Sequence, residues 1–545
     1  MKKKRNGWKV AFLILAVLVV LFLIWLFTGE DEDYYYDDYY YDEYYDDYYR
    51  DDWDEGPGAQ GGWSGSQSGH TDTSPGTVNT VDNISSKPDE AEESLRDQLV
   101  TLKGNGQDTV TVLVYMNGSD LESEDGEATE DLSEMVAAGS SDKVTVLVET
   151  LGTRQWGAKY GISSKTAQRY KLDGSGLTLV KDKLGSVNCG AADGLADFIK
   201  WGVKNYPADR YILQFWDHGG GPVYGFGYDD KTESEDSLTV AEMQKALRDA
   251  GTVFDFIGMD CCIMSGIEVC CALYDFCDYT ILSEDFESGA GWSYTGWLKA
   301  LYADPSIATP ELGRIIVDDM VSVNSKDGED AILAVIDERY MKLLYSSWVD
   351  FAYANENTLL GTNYSRRKSR KAGYRVSPVL ESNGYFKSCG SEEHRGIYDF
   401  LFGEDDADMS EYFITDLMAV ADNISGSEAS ALASSLNRSL VYMKSCGGSA
   451  NLTGFSVTLP YGDYDFYDEL KEVFLGCGFD SDYVEWLEKF AGSSGSGYYD
   501  YDSWDSHWGG WDSYEDDYDW DDWEEWDDWD DWESDGWGWS DWHRH

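Results

Sequence analysis

Residues 254–264 have the sequence FDFIGMDCCIM, and residues 211–221 have the sequence YILQFWDHGGG. Each stretch is an apolar run that ends abruptly in reactive side chains. A short buried strand of a parallel sheet has this pattern, and open α/β sheets bind ligands beyond the carboxyl ends of their strands. The two stretches therefore predict an α/β fold in which His218 and Cys262 meet at one edge of the sheet.

The sequence around these stretches alternates between strand and helix patterns. Residues 109–116 and 143–149 are β-branched runs bounded by polar residues, which predicts strands. Residues 119–138 predict a helix with Ser119 or Asp120 as its N-cap. Further elements are predicted as helices at 191–205, 237–250 and 263–276, a peripheral hairpin at 167–172 and 177–181, and strands at 279–283, 331–336 and 454–460. The alternation favours a mostly parallel sheet covered by helices on both faces.

Charge and cysteine content exclude several classes of function. The formal net charge is −63, and such a surface repels the phosphates of nucleic acids. Nucleic-acid binding is therefore excluded, and cationic peptides are the expected partners. The nine cysteines are odd in number and include the adjacent pairs 261–262 and 270–271, which does not fit a disulfide framework. The absence of C-x-x-C spacing argues against zinc, so no metal ligand is predicted.

The amino terminus predicts a membrane anchor. Residues 1–9 are basic and precede an uncharged apolar run at 10–27, close to the ~20 residues that cross a bilayer as a helix. The run ends without the small-residue cleavage site of a signal peptide. Because basic flanks stay in the cytoplasm, everything after the anchor is expected outside the cell membrane. A cytosolic hydrolase with this run in its core is the weaker alternative.

Two segments of low complexity flank the predicted folded region. Residues 28–89, acidic and Tyr-rich and then Gly/Ser-rich, predict a disordered stalk, with a ligand-binding aromatic tract as the alternative. Residues 493–545, rich in Trp and Asp, predict a disordered tail. Its indoles recur at every third position between Trp520 and Trp532, and on an extended helix they would lie on one side and contact cell-wall polymer, glycan or cationic peptide. Residues 90–308 are assigned to the catalytic domain and 309–492 to its C-terminal part.

The residues at the two strand ends suggest a cysteine nucleophile with a histidine base. A free thiol has a pKa near ~8.5 and needs help to ionise, which the amino end of a helix directly after Cys262 would supply. His218 would be the base. The backbone N–H groups of Gly219 and Cys262 would form the oxyanion hole. Asp260 lies two residues before Cys262 on the same face of the strand and could bind a Lys or Arg side chain.

Each of these signals has a simpler interpretation. A buried cysteine is usually a small core residue. The HGGG stretch could form a turn, or the oxyanion loop of an esterase. The esterase interpretation requires a G-x-S-x-G elbow, which the predicted folded region lacks.

Several further motifs, which follow one another along the chain, help to choose between these interpretations. They are TVLVYMNGSDLES from residue 111, ATEDLSEM from 128, ADFIKWGVKNYPADRYILQFWDHGGG ending at 221, FDFIGMDCCIMSGIEV from 254, SEDFESGAGWSYTGWL from 283 and GFSVTLPY from 454. Over residues 108–491 the chain resembles the clostripain family of cysteine peptidases, which implies a caspase-like α/β/α sandwich. Neither tail resembles any part of that family.

The resemblance implies roles for individual residues. His218 would be the catalytic histidine, and Cys262 would hold the cysteine of the family's D-x-C-x-M motif, with Cys261 a bystander. Asp260 would line the pocket for a basic P1 residue, since family members cleave after Arg or Lys. Relatives often carry an acidic residue where Ser293 stands here.

The family also cleaves itself between the histidine and the cysteine, and here Lys231 is the predicted site. Lys245 and Arg248 are expected to be protected in a helix. Some relatives use calcium, which is left open here because no EF-hand pattern is present.

The leading hypothesis is a membrane-anchored, extracytoplasmic cysteine endopeptidase that cleaves after Arg or Lys through a thioester on Cys262. The alternative is a cell-surface adhesion or wall-binding protein in which the peptidase domain is vestigial.

Overall fold

The computed structural model describes residues 78–84, 95–231, 237–360, 414–460 and 464–492. None of the helices in these ranges is long and apolar enough to span a membrane. The predicted anchor at 10–27, the predicted tail at 493–545 and the predicted stalk as far as residue 77 lie outside the described residues. No disulfide joins cysteines of the described ranges.

Within the described ranges, ten strands form one large sheet and two short strands form a second. The strands are β1 (Val78–Asp82), β2 (Val110–Asn117), β3 (Val144–Leu151), β4 (Gln168–Asp173), β5 (Gly176–Lys181), β6 (Arg210–Trp216), β7 (Phe254–Asp260), β8 (Cys277–Leu282), β9 (Ala331–Asp337), β10 (Ile414–Asp416), β11 (Leu440–Cys446) and β12 (Ser456–Thr458). The large sheet has the order β1-β11-β9-β8-β7-β6-β2-β3-β4-β5, and β10 pairs with β12.

The large sheet is mixed. Its five central strands, β8, β7, β6, β2 and β3, run parallel to one another. The flanking strands pair antiparallel. The prediction of a mostly parallel sheet therefore describes the centre and not the margins. At one margin β4 and β5 are joined by a two-residue turn, and so short a connection allows only antiparallel pairing.

Helices cover both faces of the sheet. They are α1 (Glu127–Ala137), α2 (Ala192–Asn205), α3 (Gly221–Tyr224), α4 (Val240–Ala250), α5 (Ile267–Leu273), α6 (Tyr294–Ala303), α7 (Thr309–Asp327), α8 (Met341–Ala354), α9 (Glu356–Leu359), α10 (Leu417–Asn423), α11 (Ser427–Ser439), α12 (Tyr464–Cys477) and α13 (Ser481–Ala491), with 3₁₀ turns at Glu338–Tyr340 and Gly447–Asn451. On β2, Leu113 and Tyr115 enter one core with α2 and α4, whereas Val112 and Val114 enter the other with α1, α6 and α7. The alternation of a strand thus builds the two cores of a three-layer structure.

One predicted boundary is corrected. Val78–Asp82 falls in the predicted stalk, yet it forms edge strand β1, with Val78 opposite Cys446 of β11. Local sequence does not show this, since the strand depends on pairing with a strand that is distant in the chain. Beyond residue 308 the sheet continues through β9, where the predicted strand at 331–336 is confirmed, and through β11. A fragment intended to contain the whole sheet must begin before Val78.

Candidate active site

The parallel pairing of β6 and β7 brings the two reactive stretches together. Trp216 and Asp260 are opposite each other at the last step of the ladder. His218 and Cys262 each follow two residues later, and both line one pocket at this edge. The pocket therefore lies beyond the carboxyl ends of neighbouring parallel strands.

Gly219 lies directly against the backbone of Cys262. A Cβ atom added to Gly219 would lie 2.0 Å from the Cys262 carbonyl oxygen and 2.9 Å from its backbone nitrogen. No side chain fits at such distances, so glycine is required where the two main chains meet. The two groups predicted to form the oxyanion hole are consequently neighbours.

The backbone around Cys262 differs from the predicted helix start. Helix α5 begins at Ile267, whereas a helix over 263–276 was predicted. Ile263 has a φ of 50°, unusual for a β-branched residue, and its N–H donates to the Asp285 carbonyl oxygen at 2.9 Å. The Ser265 N–H likewise donates to the Ser283 carbonyl oxygen. The helix dipole is therefore not adjacent to Cys262, and the prediction that it assists the thiol is wrong.

A backbone N–H approaches the Cys262 sulfur instead. The Glu287 N–H donates to Cys262 Sγ at 3.3 Å. The Glu287 carbonyl oxygen lies 3.8 Å from the same sulfur, so both backbone polar groups of Glu287 contact the thiol. The neighbouring Cys261 differs in environment: it is 2% exposed, and burial raises the pKa of its thiol well above the ordinary value.

Asp120 holds the imidazole of His218. His218 Nε2 lies 2.8 Å from Asp120 Oδ1, and both side chains are buried. Burial opposes the charge on each group, but their mutual attraction and hydrogen bond prevail. The pKa of Asp120 is consequently below its ordinary value and the pKa of His218 above. Tyr228 stacks on the His218 ring with centroids 5.8 Å apart.

The sequence predicted Ser119 or Asp120 as the N-cap of a helix, and Asp120 does occupy the N-cap position of the first turn, but its side chain binds His218. The predicted helix is divided into a π-helical turn, Leu121–Asp125, and α1, with Gly126 between them at a φ of 80°. Asp120 makes no capping hydrogen bond. The available signal was its place just beyond strand β2, which lies beside β6 in the sheet.

Hydrogen bonds to the Asp217 carboxylate hold the loop that carries His218 in place. It accepts hydrogen bonds from Ser119 Oγ at 2.6 Å, from the Asn117 side-chain amide and from the Tyr228 N–H at 3.3 Å. Burial raises the pKa of Asp217 to about 6. Ends of β2 and β6 are thereby joined, which fixes the histidine relative to the sheet.

Asp260 lies in the pocket, but its oxygens are already engaged. Oδ1 accepts from the Trp292 N–H at 3.1 Å and Oδ2 from the Tyr294 hydroxyl at 2.8 Å. Burial raises the pKa of Asp260 to about 6. Beside Ser293, Glu134 of α1 accepts a hydrogen bond from the Tyr294 N–H.

Three further carboxylates line the pocket, which makes it strongly acidic. They are Glu127 and Asp131 of α1 and Glu287 of the loop after β8. The two α1 residues were not predicted as part of the site, because no local signal in the sequence relates that helix to the strand ends. Among the described residues, no group of three or more His, Cys, Asp or Glu is arranged to hold a metal ion.

Lys231 is exposed at the edge of the described chain. The carboxylate of the residue before it, Asp230, accepts hydrogen bonds from Arg154 Nε at 2.8 Å and Ser123 Oγ at 2.9 Å. Lys245 and Arg248 lie in helix α4, as predicted.

These features define a cysteine peptidase of α/β fold, and comparison with known proteins gives the family. A sequence model described as "Clostripain family" matches residues 114–532, so the chain belongs to the clostripain family of cysteine peptidases. Comparison with curated proteins gave no match.

Solved structures of C11 cysteine proteases are similar to this chain. A secreted C11 cysteine protease from Bacteroides thetaiotaomicron, in complex with an irreversible peptide inhibitor, has 18% identity and a TM-score of 0.49, over 68% of this chain and 99% of that one. An inactive zymogen C11 protease from Parabacteroides distasonis has 16% identity and a TM-score of 0.45, over 70% of this chain and 97% of that one.

Proposed function

We propose that this cysteine peptidase is an endopeptidase in which Cys262 is the nucleophile and His218 the general acid and base. The sulfur attacks the scissile carbonyl carbon, and His218 passes its proton to the leaving amine, which leaves a thioester. Water then attacks the thioester carbon, His218 takes the water's proton, and that proton returns to the departing sulfur. The observation that carries the proposal is that both residues line one pocket beyond two parallel strands.

The backbone N–H groups of Gly219 and Cys262 are proposed as the oxyanion hole. Their main chains are in contact, which supports this assignment. Donors held rigidly where negative charge develops stabilise the transition state without reorganisation.

Asp120 is proposed as the positioning residue for the histidine. Because its carboxylate binds Nε2, Nδ1 remains for the thiol and the leaving group. We expect Asp120→Asn to lower kcat/KM by about 100-fold, within the range that general acid–base catalysis contributes. The alkaline limb of the pH profile should also move to lower pH, since an imidazolium without its carboxylate has a lower pKa and loses its proton earlier. Steady-state rates across pH measure both effects.

The exposed Asp125, at the end of the π-helical turn that follows Asp120, is the matched control. Asp125→Asn should leave the position of the alkaline limb unchanged. An Asp120→Asn enzyme with a lower rate but an unshifted limb would contradict the proposed role.

A preference for Arg or Lys at P1 is proposed from the acidic pocket, which Glu127, Asp131, Asp260 and Glu287 line. The test is turnover of peptide reporters with Arg, Lys, Asp or Leu at P1, with and without calcium. Wild type is compared with Cys262→Ala and His218→Ala. Hydrolysis after Arg and Lys that both substitutions abolish supports the proposal, and equal hydrolysis after Leu would contradict it.

Self-cleavage after Lys231 is proposed because this exposed lysine fits the same specificity. We expect the purified wild-type chain to be cut there, and Lys231→Ala to remain intact at that bond. Mass spectrometry of the fragments identifies the cut. Lys245→Ala, within helix α4, should be cut like wild type. Cleavage after Lys231 in Cys262→Ala would show that another protease is responsible.

Attachment to the cell membrane through residues 10–27, with the peptidase outside, is proposed from the basic flank and apolar run. Contact of the tails with cell-wall polymer is part of the same proposal. Membrane fractionation of the wild type and of a chain lacking residues 1–27 tests the attachment. A wall-binding protein with a vestigial peptidase domain is not favoured, because the pocket contains both His218 and Cys262.

A further inference from the structure

The four carboxylates of the pocket differ in the donors that they already have. Asp260 accepts hydrogen bonds from the Trp292 N–H and the Tyr294 hydroxyl. Asp131 accepts one from the Trp216 indole N–H at 2.5 Å. These two carboxylates have protein partners before any substrate arrives.

Glu287 has only poorly placed partners. It is 6% exposed and lines the pocket, yet neither carboxyl oxygen makes a hydrogen bond of normal geometry with a described residue. The Asp260 carboxyl, the Trp292 indole and the Cys261 backbone are its polar neighbours. Burial, and then Asp260, raise the pKa of Glu287 well above its ordinary value. A buried carboxyl without a well-placed donor is costly, and a cation that entered the pocket would remove that cost.

Glu127, on helix α1, is the fourth carboxylate of the pocket. It lies in the first turn of α1 and makes no hydrogen bond or ion pair with a described residue. Its Oε1 faces Gly289, where an added Cβ would lie only 2.3 Å away. Burial and the nearby Asp125 raise the pKa of Glu127 to about 8. A positive charge nearby would therefore stabilise the ionised form of this carboxyl too.

We infer that Glu127 and Glu287 are the direct counter-charges for the cationic side chain of the substrate, and that Asp260 is a positioning residue for the segment 292–294. The inference rests on the proposed preference for a basic P1 residue and assigns its chemistry. Asp260 is occupied by the backbone of Trp292 and the hydroxyl of Tyr294, so it shapes the pocket wall. The two glutamates bind the cation.

Glu287 also connects this pocket to the nucleophile. Its side chain lines the pocket, and its backbone N–H donates to Cys262 Sγ at 3.3 Å. The residue that binds the cation therefore also holds the sulfur. The scissile carbonyl belongs to the same P1 residue as the bound side chain, so this arrangement brings that carbonyl to the thiol.

The test compares P1-Arg with P1-citrulline, which has nearly the same shape but no charge. In the full-length enzyme, Glu127→Gln and Glu287→Gln should each lower the Arg-to-citrulline ratio of kcat/KM by about 10- to 100-fold, the usual value of a hydrogen bond to a charged group. Asp260→Asn should lower the rates for both substrates by similar factors and keep the ratio. Glu130→Gln, an exposed acid on α1, is the matched control and should change neither value.

Rates are divided by the number of competent sites, counted by labelling Cys262 with a P1-Leu electrophile, so that a misfolded variant is not mistaken for a weak binder. If Asp260→Asn abolishes the ratio while both glutamate variants keep it, the inference is wrong and Asp260 is the direct partner. If wild type labels fully but does not distinguish Arg from citrulline, the basic preference itself fails. Those two results cannot be confused.

Discussion

Cys262→Ala should abolish peptide hydrolysis, with a loss of at least about 10⁴-fold in kcat, because no other group can form the thioester. The adjacent Cys261 cannot take over. It is 2% exposed, and burial keeps the pKa of its thiol well above the ordinary value, so it does not ionise near neutral pH. Turnover of a P1-Arg reporter at substrate saturation measures the loss.

Cys261→Ala is the internal control, since it removes a thiol one residue away. It should lower the free energy of unfolding by about 1–2 kcal/mol through the cavity that it leaves. Rate per folded molecule should stay within about 3-fold of wild type, as expected for a core substitution outside the chemistry. Equal loss of activity in the two variants would contradict the assignment of Cys262 as the sole nucleophile.

The second large effect concerns stability and the base of strands β6 and β7. Arg210 is fully buried and donates to the Asp255 carboxylate, and to the carbonyl oxygens of Pro305 and Ile307 at 2.9 Å each. Arg210→Met would leave a buried carboxylate without its cation and two carbonyls without donors. We expect the free energy of unfolding to fall by about 3–5 kcal/mol. Urea denaturation in the Cys262→Ala background, where self-cleavage is absent, provides the measurement.

Two companion variants give this prediction its control. Arg210→Met combined with Asp255→Leu should recover much of the loss, since replacing both members of a buried ion pair by apolar groups is often close to neutral. Arg314→Met removes a half-exposed arginine that pairs with Glu311 on the helix surface, and should cost less than about 1 kcal/mol. If Arg210→Met alone were no less stable than Arg314→Met, the buried ion pair would not have the predicted importance.

Local patterns were sufficient for the elements that carry the nucleophile and the base. The apolar runs before Asp217 and Asp260 are strands β6 and β7, and the three glycines after His218 mark a close backbone approach. Buried strands and glycine-dependent contacts leave such traces because each position restricts its own residue type.

The helix after Cys262 shows where local patterns mislead. The apolar sequence from residue 263 suits a helix, but Ile263 and Ser265 first hydrogen-bond to the loop that follows β8. Tertiary pairing therefore delays the helix to Ile267. Strand β1 was missed for a similar reason, since its polar sequence has little strand signal and is stabilised by pairing with β11.

By itself the sequence determined the family, the strand–helix alternation and the two strand ends at which His218 and Cys262 lie. Those features are encoded in contiguous residues, as periodicity and motif. Only the tertiary structure showed that Asp120 holds His218 and that Glu127 and Glu287 face the same pocket as Asp260. These contacts join β2, α1 and the loop after β8, and their partners depend on the order of strands in the sheet, which no local pattern records.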